Sequence, residues 1–477
     1  MNTIHPCPNP VPRYMASPSI PDEPKLTPGQ EEALRLVTEG VSICLTGAGG
    51  SGKSYIIKHI LQTLGLDKTI AVTALTGIAG THIDGLTLHS WSGIPTRQTN
   101  KERILKVLQD DVETVDRWKT TDLLVIDEIS MMSAELFNKL DYIGRHIRDV
   151  LDKPFGGLQL ILSGDFCQLP PIGHNDRYCF ESTNWSQAIY RTIHLHQIMR
   201  QSDPDLQRVL NEVRLGQITS VGKELLNSRL LKNISSSCSS GDSVDSVGQN
   251  GGVRPTLVYP HKAKVAEINK RELDRVLALG ETEVSYSFKD TMAVKPQFKS
   301  RLSLCSRDKK GLEDYLDKHC TAEKELLLTI GCQVMLLVNL DLKKGLVNGA
   351  TGIVVDFEVD PETPGSAPFP VVKFHNGLQQ TIRKFTWKPE HPKYALKRTQ
   401  VPLMLSWAIT VHRAQGATLP CVIADLREAF SPGMAYVILS RIQSLEGLYL
   451  EGIRYSKIKC DPRVKKFYAD VCKNIGP

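Results

Sequence analysis

A chain of 477 residues is longer than one hydrophobic core can organise, so two or three domains of roughly 100 to 200 residues each are expected. Apolar residues at 41% and charged residues at 23% exclude a disordered or membrane-embedded chain, and no apolar run approaches the ~18 residues of a membrane span, so the chain reads as soluble with no membrane partner. The formal net charge of +6 permits a nucleic-acid partner without requiring one.

Residues 1–25 carry seven prolines and few charges, a composition for a flexible tail. The prolines also forbid the amphipathic helix of a mitochondrial presequence. From Leu26 the pattern changes. Thr27 caps a helix through about Glu39, Val41 to Thr46 reads as a short buried strand, and Ser54 to Leu64 as a second helix. Further apolar strands follow at Thr69 to Thr73, Leu123 to Asp127 and Leu158 to Ser163, with helical patterns between them, and that alternation means a parallel α/β sheet. Residues 93–120 are polar and helical. Ser, Gly and Asp dominate residues 234–252, which read as a disordered loop. Val334 to Asn339, Gly352 to Phe357 and Val371 to Phe374 are short strands between turns, suggesting a small β-barrel insert over about 330–400.

Basic residues cluster at Lys262, Lys264, Lys270 and Arg271, at Lys295, Lys299, Arg301, Arg307, Lys309 and Lys310, and at Lys393, Lys397 and Arg398. They form either a phosphate track or solvated faces. The eleven cysteines are scattered, with no C-x-x-C pair and no metal-ligand spacing, which fits reduced thiols inside a cell.

Chemistry concentrates first at Gly47-Ala48-Gly49-Gly50-Ser51-Gly52-Lys53-Ser54, which fits G-x-x-x-x-G-K-[ST] between a strand and a helix. In such a loop the backbone N–H groups and the helix N-terminus cradle phosphates, Lys53 reaches the outer phosphates of ATP, and Ser54 ligates Mg²⁺. The strand Leu123-Leu124-Val125-Ile126 then delivers Asp127 and Glu128 at its end. Asp127 is expected in the Mg²⁺ shell, and Glu128 is expected to orient or deprotonate the attacking water. Gly164-Asp165-Phe166-Cys167-Gln168-Leu169-Pro170-Pro171 follows another strand and places Gln168 where a γ-phosphate would lie.

In this order the motifs resemble those of superfamily-one helicases. Leu26-Thr27-Pro28-Gly29-Gln30 resembles the adenine-reading Q motif. Thr73-Ala74-Leu75-Thr76-Gly77-Ile78-Ala79 and Thr87-Leu88-His89-Ser90-Trp91 resemble the first strand-contacting motifs. Met199-Arg200-Gln201 is similar to motif four, Val411-His412-Arg413-Ala414-Gln415-Gly416-Ala417-Thr418-Leu419 to motif five, and Ala435-Tyr436-Val437-Ile438-Leu439-Ser440-Arg441 to motif six. Within that superfamily, residues 128–148 (EISMMSAELFNKLDYIGRHIR) resemble the signature segment of the petite-integration-frequency (PIF) helicases.

The resemblance implies two RecA-like parallel-sheet P-loop domains, 26–200 and 201–477, with a small wedge insert near 92–120 and a small SH3-like β insert. It implies closure of the two on ATP, with Arg200 and Arg441 reaching the γ-phosphate beside Lys53, Asp127, Glu128 and Gln168, and Gln30 reading the base. It places Thr76, His89, Trp91, His412, Gln415 and Thr418 on single-stranded DNA, although Trp91 fits equally well as a core aromatic. The implied activity is 5′-to-3′ ATP-dependent unwinding by a monomer in genome maintenance. The implied partners are single-stranded and forked DNA, RNA–DNA hybrids and G-quadruplexes, and the implied compartment is the nucleus, with the mitochondrion as the alternative. Other readings are a hydrolysis-silent nucleic-acid clamp and a viral or RNA-directed helicase.

Overall fold

The computed structural model describes residues 25–473 apart from 77–78, 81–82, 84, 96–99, 172, 174–176, 202, 234–252, 280–282, 297–303, 342, 360–366, 390 and 392. The proline-rich tail, the Ser-rich loop, Gly77, Ile78, Lys299 and Arg301 therefore lie outside the described residues. Contacts divide the chain into two units that change over between Gln197 and Ile198, except that residues 79–80 and 166–170 group with the second unit. Among the described residues no helix is long and apolar enough to cross a membrane.

The first unit is built on a six-stranded parallel sheet. Its strands are β1 (Ile43–Gly47), β2 (Ile70–Ala74), β3 (Leu86–Thr87), β4 (Leu123–Asp127), β5 (Gln159–Gly164) and β6 (Arg191–Leu195), in the spatial order β3-β2-β4-β5-β1-β6. β1 and β5 are buried along their whole length because helices cover both faces of such a sheet. On one face, Ala33, Leu36 and Val37 of the helix Pro28–Thr38 and Ile56, Ile57 and Ile60 of the helix Lys53–Leu64 close over Ile43, Leu45, Val125 and Ile161. The first helix starts where it does because Pro28 opens it and Thr27 and Gln30 form a capping box.

Between β3 and β4 the chain makes the short helix Leu88–Ser92 and then two helices, Lys101–Gln109 and Val112–Thr120. This pair, the helical stretch expected as a wedge, is fastened at both ends. Arg117 Nε donates to the Trp91 carbonyl (2.6 Å) and Trp118 Nε1 to that of Ser92 (3.1 Å). The signature helix Ala134–Ile147 holds the other side. Lys101 Nζ lies 4.3 Å from the Tyr142 ring centroid, and Arg148, just past that helix, donates to the carbonyls of Trp118, Thr121 (2.9 Å) and Gly156 (2.9 Å).

The second unit holds a four-stranded parallel sheet in the order Ala408–Thr410, Thr256–Tyr259, Val422–Asp425, Leu448–Gly452. Antiparallel strands are inserted between its first two strands in sequence. A five-stranded sheet runs Gln379–Thr381, Phe369–Phe374, Thr351–Glu358, Gln333–Leu336, Leu403–Leu405, beside three- and two-stranded sheets. These strands begin at Val284, earlier than the 330 read from sequence. Val284–Ser287 and Lys289–Val294 are four and six residues long with alternating exposure, too short and polar to stand out as apolar runs. The insert has its own core, with Tyr286, Leu328, Val334, Val354, Val372 and Leu403 in one cluster.

Candidate nucleotide and strand site

The loop 47–54 leaves the carboxyl end of β1 and enters the helix Lys53–Leu64. Gly52 caps that helix at φ 84°, ψ 17°, a left-handed conformation natural to glycine. A Cβ there would lie 2.6 Å from Gln30 Nε2. Gln30 is buried; its Oε1 accepts from the Thr27 N–H (2.9 Å), and its Nε2 donates to the Gly52 carbonyl (3.4 Å). The residue expected to read a base thus also braces the phosphate loop. Lys53 Nζ donates to the carbonyls of Gly47 (2.9 Å) and Ala48 (3.0 Å), which puts the ammonium at the centre of the loop, while Ser54 is exposed in the first turn.

Asp127 ends β4, two strands from β1 across β5. Burial pushes its carboxyl pKa up, against the opposing pull of Ser163, the Glu128 backbone and the Lys53 ammonium. The loop lysine and the strand-end carboxylate are therefore electrostatic neighbours. Glu128 follows at φ 56°, ψ 42°, one of three non-glycine residues with positive φ among those described. Such a conformation costs on the order of 1–3 kcal/mol and is typical of catalytic turns. Here it caps the 3₁₀ turn Ile129–Met131 and starts the signature segment. Buried and half-buried loop glycines, helix N–H groups, an ammonium and a half-buried carboxylate form a donor set that fits a nucleoside triphosphate with a divalent cation.

The remaining catalytic candidates belong to the second unit. Gln168 is buried, and its Oε1 has no hydrogen-bond partner among the described protein atoms. Gly433, at φ 76°, lets the chain pass directly over this segment, since a Cβ there would meet the carbonyl oxygens of Gln168 and Cys167 at 2.3 and 2.4 Å. Arg441 is buried, with Nε on the Val437 carbonyl (2.9 Å) and a second nitrogen on Ser440 Oγ (2.7 Å), and Arg200 is half-buried.

Sequence reasoning missed the residue that joins these arginines. Gln201 Nε2 donates to the carbonyls on either side of Arg441, Ser440 (3.4 Å) and Ile442 (3.2 Å), so the segments carrying Arg200 and Arg441 share one support. Asp203 adds a second, accepting from the Leu445 N–H (3.0 Å) while capping the helix Pro204–Leu215. The only signal for either was the adjacency of Gln201 to Arg200.

Thr76 and His89 of the first unit are half-buried; in the second, His412 is exposed, Thr418 half-buried and Gln415 buried. Trp91 is 2% exposed, and its ring lies 4.6 Å from that of Trp118. It is a core aromatic and offers no face to a base in this conformation. Arg398 likewise leaves the basic track: it is buried, paired with Asp290 (2.7 Å) and Asp317 (2.9 Å).

A phosphate-loop sequence, a strand-end carboxylate beside its lysine and an arginine-bearing second parallel-sheet unit define a RecA-like P-loop fold of the helicase class. The family model described as PIF1-like helicase matches residues 25–223, and that described as the 2B domain of DNA helicase Pif1 matches residues 312–357, within the β insert. The chain is 37% identical over 457 residues to the human ATP-dependent DNA helicase PIF1, covering 94% of this chain and 65% of the human protein. A crystal structure of Pif1 helicase from Candida albicans aligns at 31% identity and TM-score 0.74, covering 94% of this chain and 100% of that one. A Bacteroides Pif1 in complex with ADP-AlF3 and single-stranded DNA aligns at 27% identity and TM-score 0.62, covering 95% and 99%. The chain belongs to the PIF1-like helicase family. It spans less than two thirds of the length of the human relative.

Proposed function

We propose that this chain is an ATP-dependent DNA helicase that moves 5′-to-3′ on single-stranded DNA and unwinds duplex or forked DNA in genome maintenance, with the nucleus as its setting. The observation that carries the reading is the placement of Lys53 beside Asp127, with Glu128 held in a left-handed turn next to them. Magnesium held by Ser54 and Asp127 would neutralise phosphate charge. Glu128 would orient the attacking water, and Gln168 Oε1, which has no hydrogen-bond partner among the described protein atoms, is available to accept a hydrogen bond during turnover. Arg200 and Arg441 supply positive charge to the transition state, a contribution worth roughly 10³ to 10⁵ in rate in related NTPases. Structures of Pif1 helicases with ADP-AlF3 and single-stranded DNA, and at forked double-stranded DNA, support this choice of substrates.

The test is strand displacement on 5′-tailed and 3′-tailed duplexes, in DNA and in RNA–DNA hybrid form, by the full chain and by Lys53→Ala. Displacement of the 5′-tailed DNA substrate, lost in Lys53→Ala while single-strand binding survives, is expected. Unwinding by Lys53→Ala at the normal rate would overturn the site, and preference for the 3′ tail would overturn the polarity.

A further inference from the structure

Burial of Trp91 leaves the strand site without the aromatic face expected of it. Bases held without sequence preference need a stacking surface beside a cationic track. The second unit has one. Three neighbouring strands, Ala408–Thr410, Thr256–Tyr259 and Val422–Asp425, run parallel, and the chain leaving their carboxyl ends carries His412, His261 and Phe430 respectively. In open parallel sheets this edge is where ligands bind. Phe430 is 60% exposed, and the His261 ring stacks on it with centroids 5.5 Å apart and planes 24° apart.

An exposed phenylalanine alone means little; its surroundings give this one a meaning. Lys262 and Lys264 follow His261, both exposed, at the start of the helix Lys262–Leu277. His412 keeps an exposed edge, but partial desolvation of its ring and then the nearby Lys262 charge both lower the imidazole pKa. The carboxylates of this edge are already engaged. Asp425 is paired in two-pronged fashion with Arg427 (2.9 and 2.8 Å), Glu451 accepts from the Tyr259 hydroxyl (2.7 Å), and Glu428 faces Arg427. Lys264 Nζ lies 3.9 Å from the Tyr259 ring centroid and acts on Asp425 as well, so what remains for a ligand is the aromatic face of Phe430 and the Lys262 ammonium, complementary to a base and its phosphate.

We propose that the His261–Phe430 stack is a base platform for single-stranded DNA, with Lys262 taking a flanking phosphate. The proposal rests on the helicase reading and names a contact within it. His261 backs one face of Phe430 and fixes its rotamer, and the opposite face receives the base.

The test is equilibrium binding of the full chain to a fluorescent oligo(dT) and to an abasic strand of the same length. The unaltered protein binds oligo(dT) more tightly. Phe430→Ala and Phe430→Leu, the latter keeping apolar bulk, weaken oligo(dT) binding about tenfold, the size of one base stack. Both leave abasic binding where it was, and Phe430→Tyr restores the difference. If Phe430→Leu changes neither strand, or weakens both equally, the platform is overturned while the helicase reading stands. If the unaltered protein binds neither strand, the helicase reading itself fails.

Discussion

At the level of single residues, the nucleotide site concentrates charge where burial opposes it. Asp127 has a raised pKa because desolvation outweighs the help of Ser163, the Glu128 backbone and Lys53. Kept ionised, as the proposed magnesium-binding role would require, this carboxylate would cost stability. Asp127→Asn removes the buried charge at nearly constant shape. The expected result is a thermal midpoint equal to or above that of the unaltered protein without nucleotide, together with loss of magnesium-dependent ATPase activity. A lower midpoint, measured by calorimetry without nucleotide, would mean that Lys53 and Asp127 stabilise the fold as a pair. Gly47 to Ser54, Asp127 and Glu128 were all legible in the sequence, because strand, loop and helix are consecutive and each motif carries its own context. The left-handed backbone of Glu128 was not legible, since it depends on how β4 turns into the signature segment.

At the level of elements, the segment from Arg200 to the helix Pro204–Leu215 is held by contacts that no local pattern announces. Gln201 and Asp203 bond to Ser440, Ile442 and Leu445, some 240 residues away in sequence. Burial works to raise the Asp203 pKa, yet the N–H groups of Leu445, Leu206 and Asp205 outweigh it and hold the carboxyl below its usual range. A depressed carboxylate pKa contributes stability that is complete above the unfolded-state value of about 3.9 and is lost as pH falls through the folded-state value. Asp203→Ala should therefore destabilise the chain by about 1 kcal/mol, the usual cost of losing such a cap. In urea titrations that difference should hold from about pH 8 to about pH 5 and shrink below about pH 4. A difference that grows on acidification would show that the cap does not act through its charge. The pair of helices at 101–120 was readable as helical and polar, but its fastening was not. Arg117, Trp118 and Arg148 look like ordinary surface and core residues until Trp91, Ser92 and Gly156 are placed beside them. The same distance effect hid the insert's first strands, which pair with partners up to about a hundred residues downstream.

At the level of the whole molecule, the net charge of +6 arises from 58 basic against 52 acidic side chains, so the excess is small and its placement decides what it does. Sequence clusters alone left that placement open between a phosphate track and solvated faces. Arg398 is spent on Asp290 and Asp317, whereas Lys262 and Lys264 stand exposed beside an exposed aromatic stack. Charge and stacking contributions to strand binding separate by their salt dependence, because each phosphate neutralised on a single strand releases counterions and steepens log K against log salt by about 0.7. Stacking releases none. Lys262→Ala should therefore give a shallower line than the unaltered protein, by about 0.7 in slope. Phe430→Ala should give a parallel line displaced to weaker binding at every salt concentration. Anisotropy titrations with oligo(dT) across a salt series decide between them: parallel lines for both variants would remove the lysine from the phosphate track, and a shallower line for Phe430→Ala would mean that the ring acts by positioning cations and not by stacking on a base.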